Sequence, residues 1–181
     1  MDQFDRPIAG TINMCLDSIN IDPDDIHGDD NIKLSVNTVV HEVSHILGML
    51  GAIMPYMWDT STKEPRTKRP IYARNVQCVD GEIQTVAIPD TNTLQFQSNN
   101  EQISAILVTP KVRTVARNHF NCRDLDGAQL ENTPTSAYCY GSHWDERYFL
   151  TETLGAVTTQ TKVYFSPLSE YLLDNKLHPF D

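Results

Sequence analysis

The stretch His41-Glu42-Val43-Ser44-His45 holds the side chains of this sequence best suited to chemistry. Residues four apart on an α-helix lie one above the other on the same face, so two imidazoles can reach a single metal ion. Glu42 falls one step round the helix from His41, where its carboxylate meets a metal-bound water rather than the metal. A third ligand and an open coordination position would complete a hydrolytic zinc site, in which the pKa of the bound water drops from 15.7 to about 7. The ordinary alternative is an amphipathic helix whose histidines happen to sit four apart. The surroundings favour the metal. Val36, Val39, Val40, Val43 and Leu47 recur at helical spacing, with Ser35 or Asn37 as the candidate N-cap. Gly48 follows His45 by three residues, where a left-handed residue would end the helix and turn the chain back toward a distant ligand.

Three histidines follow that helix. His119 falls at the end of an expected helix beside Phe120, a place for packing or capping, and His178 lies in the C-terminal tail. His143, on the glycine-bearing stretch Gly141-Ser142-His143-Trp144, is the strongest candidate for a third ligand.

The elements that must position these residues are short. Residues 7–16 read as a turn followed by a strand, with Ile12, Met14 and Leu16 on one face. Residues 22–31 read as an acidic solvated loop that lacks the ligand spacing and terminal Glu of an EF-hand. Residues 55–70 collect Pro55, Pro65 and Pro70 with Lys63, Arg66, Lys68 and Arg69, which predicts an exposed loop. Residues 85–88 and 103–108 are strand-like. Helices are expected over about 110–119, where Pro110 suits a first turn, and over about 167–175.

A chain of 181 residues accommodates one domain, or two small lobes around a cleft. The net charge of −10 is concentrated early, where the first fifty residues set nine acids against Arg6 and Lys33. Such a surface repels phosphate backbones and argues against nucleic acid as a partner. No apolar run reaches the length of a membrane span, and Met1-Asp2-Gln3-Phe4-Asp5 does not read as a signal peptide. The four cysteines, Cys15, Cys78, Cys122 and Cys139, lack zinc-ribbon or redox spacing. Three pairings are open, of which Cys122 with Cys139 closes the shortest loop; export would favour disulfides, a cytosolic setting buried thiols.

Four separated segments then fall in a recognisable order. They are Asp5-Arg6-Pro7-Ile8-Ala9-Gly10 with Asn13 and Cys15; the helix from His41 to Gly48; Val108-Thr109-Pro110-Lys111-Val112 leading into Ala116-Arg117-Asn118-His119-Phe120-Asn121-Cys122; and Leu130-Glu131-Asn132 followed by Ser142-His143-Trp144. In this combination the sequence resembles the leishmanolysin family of zinc metallopeptidases, a metzincin branch whose third histidine is displaced far downstream by an insertion. There are two departures. The family's methionine, in a turn beneath the metal eleven residues after the third histidine, is Leu154 here, a residue of similar volume. Family members also carry a signal peptide, a pro-segment, more upstream sheet and a cysteine-rich C-terminal domain, so the sequence reads as a fragment, an incomplete gene model or a minimal form. Cys15 then stands without the cysteine that members often have ahead of the Arg-Pro-Ile-Ala-Gly stretch.

The resemblance implies an α+β, zincin/metzincin-like catalytic domain. Residues 1–51 would form a partial upper lobe with an edge strand and the active-site helix, and residues 52–181 a lower lobe with a long insertion and the third ligand. One Zn²⁺ would be held by His41, His45 and His143, with Glu42 as the catalytic base and protein or peptide as substrate. Ile12 to Leu16 would align the substrate as an edge strand. Tyr140 and Tyr148 flank the third ligand as candidate oxyanion donors, although packing is the commoner role for such tyrosines. The family's usual setting implies an extracellular or cell-surface location, in some members linked to adhesion. A rival reading is a zinc-binding but catalytically inactive homologue acting as an adhesion or interaction module, motivated by Leu154 and the short length and opposed by the intact Glu42. A second rival is a zinc hydrolase acting on something other than protein.

Overall fold

In a computed structural model, which describes residues 5–15, 28–99, 102–132, 139–150, 152–155 and 164–177, the histidine pair lies on helix α1 (Gly28–Leu47). This helix starts earlier than its apolar stripe suggests. Ser35 and Asn37, expected as N-caps, lie inside it. The Ser35 hydroxyl donates to the carbonyl of Asn31 at 3.0 Å, and the same bond to the residue four back recurs from Thr38 to Leu34 and from Ser44 to Val40. Hydroxyls that can cap a helix are here satisfied within its ladder. The expected acidic loop therefore yields residues 28–31 to α1, and residues 22–27 lie outside the described residues. Gly48 ends the helix as the sequence predicts. Its φ of 139° is open to a residue without Cβ, and its amide bonds to the carbonyls of Ser44 and His45 at 3.1 Å each.

The stretch 55–70 is an exposed loop only in part: residues 60–64, Lys68 and Pro70 are exposed, while its ends are built into the fold. Pro55 is buried in a 3₁₀ turn (Gly51–Tyr56), which tolerates its missing N–H, and strands β1 (Trp58–Asp59) and β2 (Glu64–Pro65) form a hairpin. The Arg66 guanidinium, 9% exposed, is spent on Asp59 at 2.7 Å, Thr93 at 3.1 Å and the carbonyl of Asn92 at 2.6 Å. Its charge is thus neutralised within the fold rather than solvated.

Two antiparallel sheets follow, β3 (Arg74–Gln77) with β4 (Ile83–Val86), and β5 (Leu94–Asn99) with β6 (Gln102–Leu107) and β7 (Ala128–Gln129) in the order β5-β6-β7. Helix α2 (Pro110–His119) has the limits the sequence predicts, with Thr109 Oγ1 accepting from the Val112 amide. After a short α3 (Glu146–Phe149), helix α4 (Pro167–Leu177) runs two residues past its expected end and packs against both α1 and α2. All the strands but β7 fall between α1 and α2 and pair antiparallel, and the helices lie largely apart from them in sequence, which is the α+β class. The core gathers Met49, Met54, Leu107, Trp144, Phe149 and Leu168 from these elements.

Cys139 pairs with the equally buried Cys78, not with Cys122. Cys15 and Cys122 are exposed, with no disulfide among the described residues. Of the strand expected over 12–16, residues 12–15 are not in a strand. Residues 5–15 lie along α1 with no ladder partner among the described residues, and Leu16 falls outside them. An alternating pattern needs a neighbouring strand before it becomes a strand. No helix among the described residues is long and apolar enough to cross a membrane.

Candidate metal centre

Three imidazoles meet at one point. His41 and His45, one turn apart on α1, bring their Nε2 atoms within 3.0 Å, and His143 Nε2 lies 3.0 Å from each. Among the described residues this is the one convergence of three or more potential metal ligands. His41 is buried, while His45 and His143 are half-buried.

His143 crosses 98 residues of sequence to reach His45, and the contacts that close this distance are on either side of it. The disulfide to Cys78 anchors Cys139. The Tyr140 hydroxyl donates to the carbonyl of Gly51 at 2.9 Å, and Ser142 Oγ accepts from the Gly51 amide at 2.9 Å. Gly51 lies just past the end of α1, so the loop is docked onto the chain leaving the histidine helix. Beyond His143, the Trp144 indole N–H donates to Ser169 Oγ at 2.8 Å, tying the loop to α4.

Each outer ring nitrogen has an oxygen partner. His41 Nδ1 donates to the carbonyl of Thr153 at 2.7 Å, His45 Nδ1 to the carbonyl of Met49 at 2.5 Å, and His143 Nδ1 pairs with the Glu131 carboxylate. A carbonyl oxygen can only accept, so the proton of His41 and of His45 sits on Nδ1. A carboxylate oxygen of Glu131 stands in the same place on the outer nitrogen of His143 and favours the same tautomer there. The 3.0 Å approaches between Nε2 atoms are therefore not hydrogen bonds, because three unprotonated lone pairs face one another. Such an arrangement calls for a cation. A tetrahedral zinc with Zn–N bonds of about 2.0–2.1 Å sets its nitrogens about 3.3 Å apart, close to the triangle observed. The residues present fit the metal, and their outer hydrogen bonds are of the kind that orient metal-bound histidines.

Burial pushes the pKa of His45 below its ordinary value of 6.5, and the neighbouring imidazoles push the same way. The Met49 carbonyl and the charge of Glu42 oppose this. The balance favours the neutral ring that a metal requires. Glu42 is exposed, between a cleft of ≈ 550 Å³ lined by Pro7, Ala9, Ile12, His45, Leu50 and Ile53 and a second of ≈ 420 Å³ on the other side of residues 11–12.

Against His41, Glu152-Thr153-Leu154-Gly155 forms a buried turn. Leu154 is fully buried and its carbonyl accepts from the Trp144 amide at 2.9 Å. The Glu152 carboxylate, 1% exposed, accepts from the amides of Leu154 and of Ser166, the latter at 2.9 Å.

The other sequence candidates are placed elsewhere. Tyr140 is buried with its hydroxyl committed to Gly51, and burial raises its pKa, so it is not a free oxyanion donor. Tyr148 is exposed on α3 under the Arg147 guanidinium, lining a separate cleft with Cys122 and Phe149. The His119 ring stacks on Phe149 at 6.2 Å and meets Phe120 edge-on at 4.7 Å, a packing role. His178 lies outside the described residues. Three supporting residues escaped sequence reasoning. Glu131 had a signal, an acid inside a segment of the resemblance, whereas Met49 and Thr153 act through backbone oxygens that no residue type marks.

Comparison with known proteins points the same way as the geometry. A family model described as leishmanolysin matches residues 1–175. A leishmanolysin-like peptidase of Caenorhabditis elegans is 34% identical over 172 residues, covering 89% of this chain and 24% of the relative. One from Drosophila melanogaster is 29% identical over 168 residues, covering 89% of this chain and 23% of the relative. The chain thus spans about a quarter of the length of these relatives. No solved structure gives a significant match.

Proposed function

Since the chain belongs to the leishmanolysin family of peptidases, we propose that it carries the catalytic centre of a zinc-dependent metalloendopeptidase. His41, His45 and His143 would hold one zinc ion. Bound there, zinc supplies Lewis-acid polarisation of the scissile carbonyl and lowers the pKa of a water to about 7. Glu42 handles the proton. Its exposed carboxylate, one residue from His41 and at the wall of both clefts, takes a proton from the attacking water and returns it to the leaving amine. Thr153, Met49 and Glu131 hold the three rings by their outer nitrogens, so the ligand set needs little rearrangement.

The substrate is protein or peptide. The larger cleft, ≈ 550 Å³, lies within the usual range of ligand pockets, about 300–1,000 Å³, and runs past Glu42 and His45. Residues 7–12 border it without forming a ladder, so they contribute side chains and shape to substrate positioning. In the proposed division, residues 1–51 supply the base and two ligands and residues 52–181 the third. The Cys78–Cys139 disulfide suits the oxidising surroundings of an extracellular or cell-surface protein.

The observation that carries this reading is the meeting of three Nε2 atoms at 3.0 Å, each on a ring whose outer nitrogen faces an oxygen. Zinc stoichiometry and casein cleavage, measured with and without Glu42→Ala, test it. The expected result is one zinc per chain in both proteins and cleavage in the wild type alone. Zinc without wild-type cleavage would instead support a silent homologue acting as an interaction module. A chain that folds yet takes up no zinc would end the reading.

A further inference from the structure

The geometry points to Glu131 as the positioning residue that sets the metal affinity of the centre, and to Gly141 as the gap that admits it. This rests on the zinc reading above. Glu131 differs from the other two partners of the triad. Thr153 and Met49 offer neutral backbone oxygens, while Glu131 offers a charged side chain, only 7% exposed, paired with His143 Nδ1. A carboxylate taken out of water needs a compensating partner. The imidazole supplies it, and a dication on the far nitrogen would strengthen the pair. The negative charge in turn makes the inner nitrogen of His143 a better donor to metal.

The clamp has two points. The Glu131 amide donates to the carbonyl of His143 at 2.9 Å, and Leu130 bridges Trp144, so main chain and side chain grip the same residue. His143 needs this more than its partners do. His41 and His45 are held by a helix, whereas His143 sits on a loop. The room for the carboxylate comes from position 141. A Cβ there would stand 1.9 Å from Glu131 Cγ and 2.7 Å from both Cδ and Oε1. Any side chain at 141 would evict the carboxylate from its seat.

Chelator competition for zinc on the 181-residue chain, with the thermal midpoint of the metal-free protein and the visible spectrum of the cobalt(II) form, tests this. Glu131→Ala should weaken zinc binding by about 10–100-fold and change the cobalt spectrum. Glu131→Gln keeps an acceptor but no charge, and should fall between that variant and the wild type. Gly141→Ala should weaken binding about as much as Glu131→Ala. Combined with Glu131→Ala it should add little, because the Cγ it would strike is gone. The metal-free midpoint of Glu131→Gln should stay near wild type, separating ligand positioning from general stability. A wild type that binds no zinc fails the zinc reading itself. A wild type that binds zinc, with Glu131→Gln binding equally tightly, overturns the inference about Glu131. Equal losses from Gly141→Ala in both backgrounds overturn the role given to Gly141.

Discussion

His41 Nδ1 donates to the backbone oxygen of Thr153 at 2.7 Å, joining α1 to a turn 112 residues further along the chain. Thr153 stands between two buried side chains, Glu152 and Leu154. The buried apolar side chain of Leu154 and the carbonyl that aims His41 therefore belong to one piece of chain. Whatever displaces the turn also rotates His41.

Leu154 is the direct probe of that coupling. Leu154→Met conserves volume and should cost less than about 1.5 kcal/mol, with zinc binding kept. Leu154→Ala leaves a cavity where the side chain is fully buried, and should cost about 2–5 kcal/mol and weaken zinc through His41. Denaturant unfolding with parallel zinc titration checks both. An alanine variant destabilised by this amount but with unchanged zinc affinity would uncouple Leu154 from His41.

The two downstream histidines should behave in opposite ways. His143→Ala removes one of three converging nitrogens, so chelator competition should show tight zinc binding abolished. His119→Ala removes a ring packed on Phe120 and Phe149 and should cost about 1 kcal/mol of stability, leaving metal affinity unchanged. Zinc loss from the second variant would mean that packing around α3 steers the ligand loop.

The lowered pKa of His45 fixes the sign of a pH effect. Below about pH 6.5 an unfolded chain takes up a proton that the folded protein resists, so the metal-free protein loses stability as pH falls through that range. Above it the contribution is fully present. Zinc affinity should fall in the same direction, because the three ligands must all be free of protons. Thermal midpoints of metal-free protein from about pH 8 to about pH 5 test this, and a flat profile would remove burial of His45 as a determinant.

Cys139 opens the loop that carries His143, and its bridge to Cys78 spans 61 residues. A loop of that length corresponds to about 4 kcal/mol in the chain-entropy account of disulfides. Replacing both cysteines with alanine should lower stability by about that amount and loosen zinc binding, read by denaturant unfolding and chelator competition. Affinity preserved in a destabilised variant would show that the bonds from Tyr140 and Ser142 to Gly51 suffice to dock the loop.

What was legible in the sequence follows the range of the interaction. His41 and His45 share a face because helical geometry acts over four residues, and Thr109-Pro110 marks the start of α2 for the same local reason. Gly48 was legible as a stop because its backbone conformation excludes most side chains. His143 stood out by its glycine-bearing loop and by a resemblance spread over the chain. The N-terminus of α1 was hidden because Ser35 bonds backwards inside the helix instead of capping it. The strand expected at 12–16 needed a neighbour that alternation alone does not supply. Arg66 counted as a solvated charge until the fold brought Asp59, Asn92 and Thr93 around it. Of the three groups that orient the histidines, two are carbonyls and so carry no residue signature.

Glu152 provides the sharpest test of the turn under the centre. Its carboxylate is 1% exposed and accepts from two amides, Leu154 on its own turn and Ser166 at the approach to α4. Both amides would be buried donors without a partner if it were removed, at about 1–3 kcal/mol each. Glu152→Ala should therefore be strongly destabilising, by several kcal/mol. Glu152→Gln is more telling because it keeps the shape. An amide group has one oxygen for two N–H donors, so its NH₂ must face one of them, donor against donor. One strand of the support is lost while the other stays. The Ser166 bond ties the turn to α4 and the Leu154 bond shapes the turn itself, so zinc affinity reports which amide the glutamine oxygen serves. A destabilised Glu152→Gln protein with unaltered zinc affinity places the loss at Ser166, and a matching fall in affinity places it at Leu154. A variant as stable as wild type would mean that the carboxylate holds neither amide, and the turn's grip on His41 would need another source.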